Sequence, residues 1–353
     1  MLALLSDAAP ILVLSSQPRP AGDLRLGNSR TRTSRGAVTM ERAAGVSAER
    51  GLANASPTSH QPMAGAHSVS RWVSGSLQPR FRTIDGITVR YAESGLRDEH
   101  ALLLGPWPES LLAFEPIWPR LAEQAHLVAI DLPGFGHSQR SDSVLSPRVM
   151  GDFIIRAADA FELERPHVIG PATGTGASLF AAAFHPGRLR SLVVGSGSAA
   201  FPLELGAPLK DWIETPDLDV YRRVDGREII AGALDDLERY PLPEHVLEDY
   251  LSSYEGDRFV ESMRFVRSYP TELPILRHLL ADIHTPVQII AGARDAAVPP
   301  INAEYLHERL PNSKLDIVDA GHFTWEDAAD EYATLVTDWW RGGPAATGSG
   351  TTG

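Results

Sequence analysis

The sequence contains no cysteine. Disulfide bridges, thiolate metal sites and a cysteine nucleophile are therefore excluded. Positive charge is also short: 32 Lys and Arg stand against 45 Asp and Glu, a formal net charge of −13. Nonspecific nucleic-acid binding needs a positive surface, so it is not expected, while neutral and cationic small molecules remain open as ligands. No apolar run reaches the roughly 18–20 residues of a membrane span. Residues 1–76 lack lysine and clear periodicity and are rich in Ala, Gly, Ser, Pro and Arg. They carry eight arginines against four carboxylates, net +4, which leaves −17 for the remainder. Such a segment buries too little apolar area to offset its ordering entropy, so disorder is expected there. Met1–Leu14 has no basic stretch before it, which argues against a secretory signal. An Arg- and Ser-rich start also fits a transit peptide, but a true start at Met40 or Met63 is preferred, with a cytoplasmic location. Residues 342–353 form a Gly/Thr tail for which disorder is again expected.

What is present between them is a strand–helix alternation. Two alternating stretches flank Asp85-Gly86, a hairpin signal. Short apolar strands follow at Ala101–Leu104, His126–Ile130, His167–Ile169, Leu189–Val194, Val287–Ile290 and Lys314–Val318. Helical patterns over Phe114–Ala125, Ser146–Leu163, Gly174–Phe184, Asn302–Leu310 and Glu326–Trp340 separate or end them. Residues 198–283 break the alternation with helical patterns such as Glu228–Glu238, Pro243–Tyr254 and Arg258–Val266. Alternation of this kind predicts a mostly parallel sheet of eight strands with helices on both faces. The core is expected over 77–197 and 284–341, with a helical cap over 198–283 inserted after the sixth strand.

The stretch Pro166–Phe180 reads as strand, Gly-rich bend and helix. Many hydrolases place a nucleophile on such a bend in a Gly-x-Ser-x-Gly frame. Here the frame is Gly170-Pro171-Ala172-Thr173-Gly174, and the nucleophile position holds alanine. A shifted frame centred on Thr173 would put Pro171 and Thr175 where small residues are needed, and Thr175 itself would lie inside the helix. The Gly-rich run lacks the lysine of a phosphate loop and an acidic ribose partner, so nucleotide binding is not expected. The histidines show no metal-ligand spacing, and no metal or cofactor is expected. Asp131, in Asp131-Leu-Pro-Gly-Phe-Gly-His-Ser138, is read as shaping a turn rather than as a catalytic carboxylate.

Five motifs in order carry a resemblance. They are Leu102-Leu-Leu-Gly-Pro-Trp-Pro-Glu-Ser110, Asp131–Ser138, Gly170–Gly174, Gly292-Ala-Arg-Asp-Ala-Ala-Val-Pro299 and Gly321-His-Phe-Thr-Trp-Glu326. Together they make residues 79–341 resemble the α/β-hydrolase superfamily, in the branch of haloalkane dehalogenases and epoxide hydrolases. The resemblance implies a triad in the order nucleophile, acid, histidine, here Ala172, Asp295 and His322. It also implies an oxyanion hole from the backbone N–H groups of Thr173 and of Trp107, because Pro106 has none. Asp295 has a competing reading as a turn cap, His322 as a surface loop histidine, and Trp107 as a packed loop tryptophan. Relatives with Gly-Pro before the nucleophile carry Asp there, which implies an alkyl-enzyme ester. Thr173 departs from the Trp or Arg that dehalogenases place after the nucleophile. Alanine cannot attack, so no covalent intermediate can form at position 172. Three readings stay open: an inactivated hydrolase for an ester, epoxide or haloalkane; a non-covalent enzyme with His322–Asp295 as general base; and a small-molecule binding protein.

Overall fold

The computed structural model describes residues 77–342. The expectations for residues 1–76 and 343–353 lie outside the described residues. Within them the sheet has eight strands, in chain order β1 (Arg80–Ile84), β2 (Ile87–Glu93), β3 (His100–Leu104), β4 (His126–Ile130), β5 (His167–Pro171), β6 (Ser191–Gly195), β7 (Val287–Gly292) and β8 (Ser313–Val318). Their spatial order is β1-β2-β4-β3-β5-β6-β7-β8. The β1–β2 and β2–β4 pairs are antiparallel and all others are parallel. Asp85 (φ 50°) and Gly86 (φ 80°) both take positive φ between Ile84 and Ile87. That is the two-residue turn whose twist matches a hairpin, and it needs residues that tolerate the left-handed region. Strands β4, β5, β6 and β7 are buried along their whole length, whereas edge strands β1 and β8 are largely not. Helices on both faces of a parallel sheet leave the central strands no solvent side, which is why they read as continuous apolar runs.

The helices are α1 (Trp118–Ala122), α2 (Pro147–Ala160), α3 (Thr173–Phe184), α4 (Leu209–Glu214), α5 (Gly226–Leu234), α6 (Glu244–Ser253), α7 (Arg258–Val266), α8 (Tyr269–Leu279), α9 (Ile301–His307), α10 (Thr324–Asp327) and α11 (Ala329–Gly342). The helix expected over Phe114–Ala125 is instead a 3-10 turn at Leu111–Phe114 followed by α1. Pro116 and Pro119 lack the N–H that a continuous helix would use, and Pro119 is tolerated only because it lies in the first turn of α1. The helix expected over Glu228–Glu238 ends at Leu234. The backbone N–H groups of Glu238, Arg239 and Tyr240 all donate to the Asp327 carboxylate instead (2.9, 2.8 and 3.0 Å). The helix expected over Glu326–Trp340 is divided at Ala328, which leaves the helical region with φ −123° and ψ 37°. Helices α4 and α8 were not legible; α8 carries Pro270 in its first turn and Pro274 inside it, which hides its periodicity.

Helices α4–α8 fill the segment between β6 and β7. A buried ion pair fastens this insertion to the sheet. The Arg90 guanidinium on β2 donates to both carboxylate oxygens of Asp249 on α6 (2.6 and 2.9 Å). Ser110, in the loop after β3, donates to the same carboxylate at 2.6 Å. The Asp249 carboxyl is accordingly held well below the usual range: burial alone would raise it, but His137, Arg90 and Ser110 together outweigh that. A two-point Arg–carboxylate pair of this kind adds directional as well as electrostatic strength.

The order β4-β3-β5 reverses the winding of the chain beside β5. Ligand crevices in such sheets lie beyond the carboxyl ends of the strands at that reversal. The loops after β3, β5, β6, β7 and β8 all emerge there.

Candidate active site

Ala172 joins β5 to α3 with φ 49° and ψ −121°. A residue with a Cβ is rare in this region and costs on the order of 1–3 kcal/mol there, so the surrounding structure must hold it. The restraints are specific. The Ala172 N–H donates to the Gly195 carbonyl at the end of β6 (3.0 Å). Thr175 Oγ1 donates to the carbonyls of Gly170 and Gly195 and accepts the Gly195 N–H, each at 3.1 Å. Gly170 cannot be larger, because a Cβ there would lie 2.4 Å from Ser178 Oγ and 2.8 Å from the Gly174 carbonyl oxygen. The bend is therefore centred on residue 172, and Thr175 is fully engaged in holding it. Thr173 is the first residue of α3, with helical backbone, so the shifted frame does not match the bend.

His322 lies in the loop between β8 and α10. Its Nδ1 is 2.8 Å from Asp295 Oδ2, and the Asp295 side chain is completely buried. The other oxygen, Asp295 Oδ1, accepts the Val298 N–H at 2.8 Å. The aspartate thus caps its own turn and hydrogen-bonds the imidazole at once. Burial by itself lowers the pKa of His322, but the charge and hydrogen bond of Asp295 and the charge of Asp236 outweigh it, leaving it raised above 6.5. The ring is packed edge-on against Phe323 and Trp325.

Ala172 and His322 line one cavity, together with Trp107, Thr173, Ser196 and Asp236. Trp107 is held in place: its indole N–H donates to Ser262 Oγ on α7 (2.9 Å) and its ring stacks on Phe259. The indole N–H is thereby committed to Ser262, while Trp107 also lines the cavity. The backbone N–H of Trp107, and that of Thr173 in the first turn of α3, have no acceptor among the described residues. Helix starts leave such donors free by construction. The hydroxyls of Thr173 and Ser196 are buried without a hydrogen-bond partner.

Asp131 lies outside the cavity lining. It is buried and accepts the N–H groups of Leu111 (2.6 Å) and His137 (2.9 Å), with Arg90 Nη1 at 3.4 Å. It shapes the β4 turn, as its sequence context indicated. Among the described residues no group of three or more His, Asp or Glu side chains is arranged to hold a metal ion. No helix among them is long and apolar enough to cross a membrane.

Sequence reasoning missed two features. One is Asp236, just past the end of α5, which has no motif around it. The other is a buried carboxyl pair, Glu109 and Glu326, each quoted within a motif but given no role. Their carboxyl groups interact directly when one is protonated, and each otherwise keeps one oxygen without a partner. Tyr250 donates to Glu326 Oε1 (3.0 Å) and the Trp325 indole to Glu109 Oε1 (3.3 Å). Burial is the main cause that raises both, Glu326 to about 7. Because the folded value lies above the ordinary 4.5, the folded state binds the extra proton more tightly. That stability is fully present below about pH 4.5 and is lost as pH rises through about 7. The expected loss is on the order of 3 kcal/mol across that window. Thermal unfolding of the unmutated chain should show it, and Glu326→Gln should flatten it; an unchanged slope in that variant would count against the pair.

Residues 101–335 match the model of the Alpha/beta hydrolase family, and the protein belongs to that family. It is 28% identical over 267 residues to a pimeloyl-acyl-carrier-protein methyl ester esterase of Neisseria meningitidis serogroup B, covering 68% of this chain and 92% of that one. It is 26% identical over 250 residues to the 2-hydroxymuconate semialdehyde hydrolase of Pseudomonas sp. strain CF600, covering 66% of this chain and 83% of the other. Among solved structures, the epoxide hydrolase CorEH superposes with a TM-score of 0.64 at 17% identity, over 76% of this chain and 99% of that chain. The last likeness is one of fold.

Proposed function

We propose that this chain is a hydrolase-lineage protein whose pocket takes a small, largely apolar ester, epoxide or haloalkane, with the covalent route closed at Ala172. The observation that carries the reading is His322, 2.8 Å from the buried Asp295, lining one cavity with a strained Ala172. In this reading Ala172 marks the nucleophile position, His322 is the base and Asp295 fixes its tautomer and stabilises the imidazolium. The free N–H groups of Trp107 and Thr173 form the oxyanion hole. The helical insertion over 198–283 acts as the cap that sets substrate preference. The esterase and hydrolase relatives support the ester class, and the Gly170-Pro171 pair supports the epoxide and haloalkane classes.

A second reading, water activated directly by His322, is favoured by one observation. The unpartnered hydroxyls of Thr173 and Ser196 line the same cavity and can hold a polar reactant beside the imidazole. Only the neutral imidazole accepts a proton, and Asp295 and Asp236 raise its pKa. Any His322-dependent rate should therefore climb with pH through a midpoint above 6.5.

The test is a panel of aryl esters, epoxides and haloalkanes offered to the unmutated chain, Ala172→Ser and Ala172→Asp. Turnover gained only in a variant supports the closed covalent route. Turnover already present and abolished by His322→Ala supports the water reading. Binding without turnover in all three chains would replace both with a receptor.

A further inference from the structure

Much of the cavity wall is apolar, and its fixed charge is of one sign. Trp107 and Trp212 present aromatic surface, with Leu209, Val266 and Val298 beside them. Among the described residues no lysine or arginine lines it. The imidazole of His322 is engaged with Asp295. The remaining charged lining residue is Asp236, which has no ion-pair or hydrogen-bond partner for its side chain among the described residues. Its neighbours differ. Glu238 pairs with Arg294, and Asp319 pairs with Arg239 and Arg294, so the arginines of this rim are already taken. The backbone around Asp236 is held. The loop that follows it is held by three N–H donations to Asp327, and a Cβ on Gly321 would lie 3.3 Å from the Asp236 carbonyl oxygen.

We propose that Asp236 determines the specificity of this pocket by pairing with a positively charged group of the ligand, a protonated amine or a quaternary ammonium. This deepens the small-molecule reading above and rests on it. The ligand's apolar body packs on Trp107 and Trp212, and indole faces favour a nearby cation over a neutral group. The hydroxyls of Thr173 and Ser196, both over nine-tenths buried and unpartnered, receive its oxygen function at the other end. The Asp236 side chain is exposed and has no hydrogen-bond or ion-pair partner among the described residues, so a cation arriving with the ligand meets it without breaking an existing pair. Burial does raise the Asp236 pKa, with His322 lowering it and Asp295 raising it again. A net charge of −13 favours the approach of a cation and opposes that of an anion. The substrate class implied is a basic-amine or ammonium-bearing ester or epoxide rather than a carboxylate.

Three probes of similar size test this: benzyltrimethylammonium, its neutral isostere neopentylbenzene, and phenylacetate. Binding is measured calorimetrically and by tryptophan fluorescence at pH 8 on the full chain. The cation should bind about tenfold more tightly than the isostere, the scale of one partly exposed cation–carboxylate contact together with a cation–π contact. Asp236→Asn should abolish that ratio while changing the isostere's affinity less than about twofold, and Asp236→Lys should shift the preference to phenylacetate. Binding of the isostere with no preference for the cation, or a preference that survives Asp236→Asn, overturns the inference and leaves the pocket reading intact. Failure of all three probes to bind overturns both. A third outcome is read in the Ala172→Ser background with cationic and neutral esters. If Asp236→Asn moves the pH midpoint equally for both and leaves their KM ratio unchanged, Asp236 acts through His322 and the inference falls.

Discussion

Ala172→Ser is expected to hydrolyse aryl esters, and Ala172→Asp epoxides or haloalkanes, with a kcat about 10³-fold or more above the unmutated chain in at least one case. The scale follows from what losing a triad nucleophile costs elsewhere, which is several orders of magnitude, with a residue left from the oxyanion hole and binding. The scaffold for the gain is already built. The backbone at 172 holds the strained φ of 49° with alanine, so the new side chain need not create the bend. The His322 imidazole is held by Asp295 at 2.8 Å, and two backbone N–H groups stand free at the cavity. Mass spectrometry of the variant should trap an acyl- or alkyl-enzyme, and adding His322→Ala should remove the gain in the ester case. If neither variant exceeds the unmutated chain on any of the three substrate classes, the proposed role of position 172 is wrong.

The second large effect is on stability. Asp131→Ala should cost about 3–5 kcal/mol, the range for stranding buried polar partners. Two backbone N–H groups, of Leu111 and His137, lose a charged acceptor at 2.6 and 2.9 Å. Arg90 keeps Asp249 but loses its second anion. For a chain of this size the melting temperature should fall by roughly 10 °C. Asp131→Asn keeps an acceptor oxygen and should cost less than the alanine variant. Equal losses in the two variants would show that the carboxylate hydrogen bonds are not what Asp131 supplies. The pocket lining excludes Asp131, so in the Ala172→Ser background the cold-assayed kcat of folded protein should change far less than its stability.

The parts of the fold legible beforehand share a short range. The Asp85-Gly86 turn and the buried apolar strands are each dictated by a few neighbouring residues, and the bend at Gly170–Gly174 is legible in its glycines although Gly195 on β6 also holds it. The sterics of a turn or a strand's two buried faces act locally. Where expectation failed, a distant group intervened or a local feature masked the pattern. The helix expected through Glu238 stops at Leu234, and Asp327 takes three N–H groups just beyond its end. The prolines of α8 obscured a helix that packing stabilises regardless.

The candidate site divides along the same line. Asp295, His322, Ala172 and Trp107 could be named because each sits in a motif at the end of a strand, and the topology brings those ends together. From sequence alone, Asp295 was either a turn cap or an imidazole partner; the structure makes it both, because the two carboxylate oxygens face different donors. Glu109, Glu326 and Asp236 carried no signal. Their properties arise from burial, missing counter-charges and contacts with residues far away in the chain, quantities that exist only once the chain is packed. The sequence by itself determined the family architecture and the absence of a nucleophile at the bend, since both are written in local patterns. Only the tertiary structure decided which carboxylates are paired, which are buried together and which one is left facing the pocket, because a charge acquires its partner or goes without one through folding.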